Sequence, residues 1–129
     1  MRALRLPLLL LLIAAAPAPA GAQTAEGAAP PYQTDMLQLA EVLGALHYLR
    51  PLCGAGEGAR WREEMEALVD AEQPSAGRRA GLIASFNRGY ASYAQVYHAC
   101  TGSAQLAGRR YLDEGARLSR DIASRYGSN

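Results

Sequence analysis

Two cysteines, Cys53 and Cys100, stand 47 positions apart in a chain otherwise patterned for helices. Their redox state decides what the chain can fold into. Paired, they tie two distant helix ends together; reduced, they are two small apolar side chains with reactive sulfurs. The N-terminus favours pairing. Arg2 and Arg5 form a basic start, Leu6 to Ala16 is almost continuously apolar, and Ala20-Gly21-Ala22 places small residues where a signal peptidase reads. This pattern predicts a signal peptide over residues 1–22, cut before Gln23, with Ala18-Pro19-Ala20 as a second site. The apolar run is too short to span a bilayer, and prolines follow it, so no stable membrane anchor is expected after cleavage. The chain is therefore expected to be periplasmic or secreted, where disulfides persist.

Residues 23–33, rich in Ala, Gly and Pro, read as a flexible spacer, and residues 34–127 as a single helical domain. Thr34 is a good N-cap for a first helix whose face carries Met36, Leu39, Ala40, Leu43, Leu46, His47 and Arg50, with Pro51 as its stop. The glycines of Cys53-Gly54-Ala55-Gly56-Glu57-Gly58 make that stretch a loop. A shorter helix fits Ala59 to Glu72, with Trp61, Met65, Leu68 and Val69 inward, Pro74 ending it and Ser75 capping the next. Ile83, Phe86, Tyr90, Tyr93, Tyr97 and Cys100 recur at steps of three and four, the seam of a third helix. A fourth starts near Thr101 to Ser103, turns Ala104, Ala107, Tyr111, Gly115, Leu118, Ile122 and Tyr126 inward, and ends at Gly127. No stretch alternates at period two. The expected fold is all-α, a small four-helix bundle-like domain with one short helix, stapled by one disulfide.

In an up-down-up-down arrangement the end of the first helix and the end of the third share a pole, so Cys53 and Cys100 can meet. Closing a loop of that size stabilises a fold by roughly 4 kcal/mol in the chain-entropy model. The same meeting would draw His47, Tyr48, Arg50, Tyr97 and His98 to one end of the bundle. His47 and Arg50 lie within the apolar stripe, where a polar group needs a partner. These five residues form the candidate pocket for a ligand or partner, against the alternative that they bond locally to carbonyls and glutamates.

Other chemistry is poorly served. Two thiolates and two imidazoles could close a zinc site, yet H-x5-C and H-x-C are not finger spacings and oxidation would remove the thiolates. The haem signature C-x-x-C-H is absent, as are a nucleophile elbow and a phosphate-binding loop with lysine. No cofactor, metal or catalytic residue is assigned. Glu63, Glu64 and Glu66 read as a solvated face, and Trp61, flanked by Arg60 and Arg62, as core. The tyrosines of the third helix could line a ligand cleft, but packing explains their spacing. Loss of Arg2 and Arg5 leaves 11 arginines against 12 acidic residues, which argues against nucleic acid as a partner. There is no lysine, and arginine suits carboxylates and phosphates because its planar fork donates two parallel bonds.

Several blocks together carry a resemblance. They are Leu43-Gly44-Ala45-Leu46-His47-Tyr48-Leu49-Arg50-Pro51-Leu52-Cys53-Gly54, then Trp61-Arg62, Ala84-Ser85-Phe86-Asn87-Arg88-Gly89-Tyr90 and Cys100. Tyr111-Leu112-Asp113-Glu114-Gly115 and Asp121-Ile122-Ala123-Ser124-Arg125-Tyr126-Gly127 complete the set. The chain from about Tyr32 to Gly127 resembles a family of small exported proteobacterial proteins of unknown function. The resemblance implies an exported domain and a paired Cys53 and Cys100, and it supplies no activity or catalytic residues. The expected role is a non-enzymatic binding or structural module of the cell envelope, with an envelope protein or cell-wall component as partner. The alternative is a small-ligand binder or enzyme using a polar pocket around His47, Arg50 and His98.

Overall fold

The computed structural model describes residues 27–127, so the signal segment 1–22 and the first four residues of the spacer lie outside the described residues. Four helices follow in order: α1 Gln33–Leu52, α2 Arg60–Glu72, α3 Ala76–Ala94 and α4 Gly102–Tyr126. No strand occurs among the described residues. The expected all-α, four-helix, disulfide-stapled fold is the one observed.

α1 is the axis of the domain. Met36, Leu39, Ala40, Val42, Leu43, Gly44, Ala45, Leu46 and Leu49 are all buried, so the helix is covered on nearly every side. A helix that is apolar all round belongs in the middle of a fold. The other three helices each pack on α1, and α2 also touches α3 briefly. α2 contributes Trp61, Met65 and Val69, α3 contributes Leu82, and α4 contributes Leu118 to one continuous core. α3 and α4 do not pack backbone against backbone.

The α1–α3 contact is the closest in the molecule, because glycines form it. A Cβ on Gly44 would lie 1.9 Å from the carbonyl oxygen of Phe86, and one on Gly89 would lie 1.9 Å from that of Glu41. Only residues without a Cβ allow two helix backbones to meet this way. Arg88 adds a polar clamp, donating to Glu41 at 2.8 Å across the same interface. This contact corrects the expected seam. Leu82, Ser85 and Gly89 form the buried face of α3, whereas Ile83 is 44 % exposed and Tyr90 39 %. The large residues are displaced to the flanks because the small ones permit closer approach.

Element ends follow local chemistry, with four corrections. α1 begins before Thr34, since the Met36 amide already donates to the Tyr32 carbonyl. Pro51 lies inside the last turn rather than ending it; the amides of Cys53 and Ala55 still reach Leu49 and Arg50. α3 stops at Ala94, so Tyr97 and Cys100 belong to the connecting segment and not to the helix. Tyr126, placed on the inner face of α4 by its spacing, is 38 % exposed, with its ring tilted against that of Tyr32 at 5.3 Å. Ser75 and Thr101 cap α3 and α4, accepting from the amides of Arg78 and Ala104.

Candidate functional site

Cys53 and Cys100 are bonded, with their Cα atoms 4.9 Å apart, so the chain after α3 is pinned across the C-terminal end of α1. A second tie lies beside it. The Tyr48 hydroxyl donates to the Tyr97 carbonyl. These two attachments hold residues 97–100 against the end of α1, where α3 has already ended.

Around this end the five candidate pocket residues separate into distinct environments. Arg50 grips Glu57, donating from Nε at 3.1 Å, and Glu57 also accepts from the Trp61 indole at 2.6 Å. Gly54, Gly56 and Gly58, all with positive φ, fold the loop back so that Glu57 reaches both. The bond to Arg50 holds the Glu57 carboxyl below its ordinary range, and the same bond raises the Arg50 guanidinium. His47 sits 5.6 Å from the rings of both Phe86 and Tyr90, and its Nδ1 is buried without a hydrogen-bond partner. Burial, aided by Arg62, lowers its pKa and favours the neutral ring. His98 is exposed. Tyr48 packs edge-on against Tyr90 at 5.2 Å. The structure joins Tyr48 to Tyr97, and leaves Arg50 and His98 in separate surroundings.

Tyr97 leads to a larger feature. Because α3 and α4 diverge over α1, they leave an open cleft of about 750 Å³ between them. α1 forms its floor with Gln38, Glu41 and Val42, the α3 side supplies Tyr93 and Tyr97, and α4 supplies Ser103, Leu106, Arg110, Tyr111 and Glu114. The Tyr93 and Tyr97 rings are nearly parallel, 4° apart with centroids separated by 6.2 Å. Tyr111 meets Tyr93 edge-on at 5.4 Å, and the Tyr93 hydroxyl donates to the Tyr111 hydroxyl at 3.0 Å. Burial, together with that bond, pushes the Tyr93 phenol well above its ordinary pKa, so it stays protonated. The tyrosines read as packing residues therefore divide, with Tyr90 on the flank by His47 and Tyr93 and Tyr97 on the cleft wall.

Charge in the cleft is largely neutralised by arginines beside it, Arg117 also serving Asp121. Glu41 is held by Arg88, and Glu114 by Arg117 at 2.7 Å and by the Gln38 amide at 2.8 Å. Arg110 has no acidic partner among the described residues. Arg110 and the α1 floor have no signal of their own in the sequence. Tyr111 is legible by its spacing on the inward face of the fourth helix, and Tyr93 and Tyr97 as tyrosines able to line a cleft, a reading that packing outweighs there. No group of three or more His, Cys, Asp or Glu that could hold a metal occurs among the described residues.

Comparison with known proteins places the chain in one family. Residues 31–126 match the family described as protein of unknown function (DUF2385), and the chain belongs to it. No curated protein and no solved structure matches.

Proposed function

We propose that this member of a family without assigned activity is an exported binding module of the cell envelope, and that the cleft between α3 and α4 is its recognition surface. The cleft carries the reading. It is the size of a small-molecule or peptide subsite, and its surface is about equally apolar and polar. Three tyrosines offer flat apolar faces with hydroxyl tips, a pairing suited to ligands that are partly apolar and partly wet. The basic and apolar start of the chain supports export, and so does a disulfide, which an oxidising compartment preserves. No described helix is long and apolar enough to cross a membrane. A cell-wall component or an envelope protein segment is the expected occupant.

The test is site-directed photocrosslinking in cells. A benzophenone amino acid replaces Leu106, which lines the cleft, and in a second variant Glu63, which is exposed on α2. An adduct of one defined mass in the envelope fraction, formed at position 106 and not at 63, supports the reading. Equal adducts at both positions, none at either, or protein confined to the cytoplasm rejects it.

A further inference from the structure

Several hydrogen-bond donors among the side chains lining the cleft are unengaged. Tyr93 and Tyr111 have two hydroxyl protons and one bond between them, so one proton remains to be donated. The hydroxyls of Tyr97 and Ser103 and the guanidinium of Arg110 make no hydrogen bond among the described residues. On the acceptor side, both Glu114 oxygens are engaged by Arg117, one of them also by Gln38, and one Glu41 oxygen takes two bonds from Arg88. The cleft thus presents one arginine without an acidic partner and several free hydroxyl donors beside aromatic faces, while Glu41 and Glu114 are each already held in an ion pair, Arg117 being shared with Asp121.

Resting on the cleft as the recognition surface, we propose that it takes a ligand with a ring-shaped body and a single carboxylate, the ring lying on Tyr93 and Tyr97 and the carboxylate meeting Arg110. One guanidinium matches one carboxylate as a two-pronged pair. A phosphate monoester, with nearly two charges, would meet only one cation that has no acidic partner. The ring faces of a sugar acid and of an aryl carboxylate meet this chemistry alike, so both sources enter the test.

The experiment is a titration of the disulfide-bonded chain from residue 23 onward, followed by amide nitrogen–proton NMR. The probes are galacturonate and 4-hydroxybenzoate, each with its neutral methyl ester. The expected result is saturable shifts at Tyr97, Arg110 and Tyr111 with at least one acid, and binding at least tenfold weaker for its ester. Which acid responds identifies the ring type. Arg110→Gln should erase the difference between acid and ester, while Arg109→Gln, an equal charge loss at a residue that does not line the cleft, should preserve it. Equal binding of acid and ester overturns the carboxylate and leaves the cleft standing as a binding surface. No cleft shift with any of the four probes overturns the ring-carboxylate ligand, and the crosslink at position 106 then decides separately whether the cleft binds at all. Shifts that survive Arg110→Gln unchanged also overturn it.

Discussion

Two buried helical glycines should respond to the same substitution with opposite signs. In Gly89→Ala the new Cβ would lie 1.9 Å from the Glu41 carbonyl oxygen, and real contacts essentially never fall below 3.0 Å. α1 and α3 must therefore part by about 1.1 Å at that point, because the obstacle is backbone and cannot swing aside. A gap of about 0.5–1 Å already forfeits roughly a quarter to a half of the dispersion energy of the atoms across it. Leu82 and Phe86 lie on the same interface, so the expected cost is near the top of the overpacking range, about 3 kcal/mol. Alanine's better helix propensity offsets about 1 kcal/mol of this. The net loss is about 2 kcal/mol, which lowers the Tm of a domain this size by roughly 8–16 °C.

Gly108 is also buried in a helix, but a Cβ there meets nothing within 4 Å. Gly108→Ala should gain up to about 1 kcal/mol and raise Tm by about 4–8 °C. Thermal melts followed by circular dichroism at the helical band measure both. If Gly89→Ala melts at or above the parent, the close approach of α1 and α3 is wrong, and with it the account of why the large residues of α3 are displaced.

Replacing both cysteines by alanine should cost about 4 kcal/mol from loop entropy; an unchanged denaturant midpoint would refute that estimate, and amide signals of residues 95–101 should broaden in the same variant. Glu57→Gln should cost about 1–2 kcal/mol at neutral pH, because Arg50 and the Trp61 indole lose a charged acceptor. Glu57 is depressed in the folded state, so its contribution is present above the ordinary carboxylate pKa of about 4.5 and fades as pH falls through the lower folded value. The stability gap between parent and variant should accordingly close in acid, and a gap independent of pH would contradict the assignment. For His47 the folded pKa is also lowered, so the unfolded chain binds the proton first; stability should fall as pH drops below about 6.5, and His47→Gln should flatten a Tm profile taken between pH 5 and 8. Parallel profiles for parent and variant would show that the ring is not held neutral.

Helix number, the loop at Cys53 to Gly58, the Ser75 cap and the start of the fourth helix near Thr101 were legible because each rests on local chemistry: a cap needs one side-chain oxygen and a loop needs its glycines. The pairing of Cys53 with Cys100 was legible as well, since a compartment and a count of two leave one partner. The face of α3 was not. Spacing weighs Ile83, Tyr90 and Tyr93 by their apolar area, whereas the interface selected Gly89 and Ser85 for their lack of it. Periodicity counts large residues, and a glycine seam leaves no large residue to count. The end pocket was drawn from the shared pole of two helices, and that pole is real. Within it, Arg50 turns to the loop through Glu57, while His47 turns to the α3 rings.

The cleft follows from the same glycine seam, though no single motif announces it. Drawing α3 tightly against α1 at Gly44 and Gly89 commits α3 to one flank of the central helix. The disulfide and the Tyr48–Tyr97 bond then turn the chain across the α1 terminus, so that α4 starts away from α3. α4 descends along another flank and meets α3 only through side chains, Tyr111 to Tyr93. The space between them is kept open by the two features that stabilise the frame. Loss of the disulfide should therefore affect binding beyond its effect on stability. Cys100 is three residues from Tyr97, and freeing it releases one wall of the cleft while α1 and α4 keep theirs. In the double-alanine variant, at a temperature where it is still folded, affinity for the carboxylate probe should fall severalfold. Unchanged affinity there would mean that the Tyr48 bond alone holds Tyr97 in place.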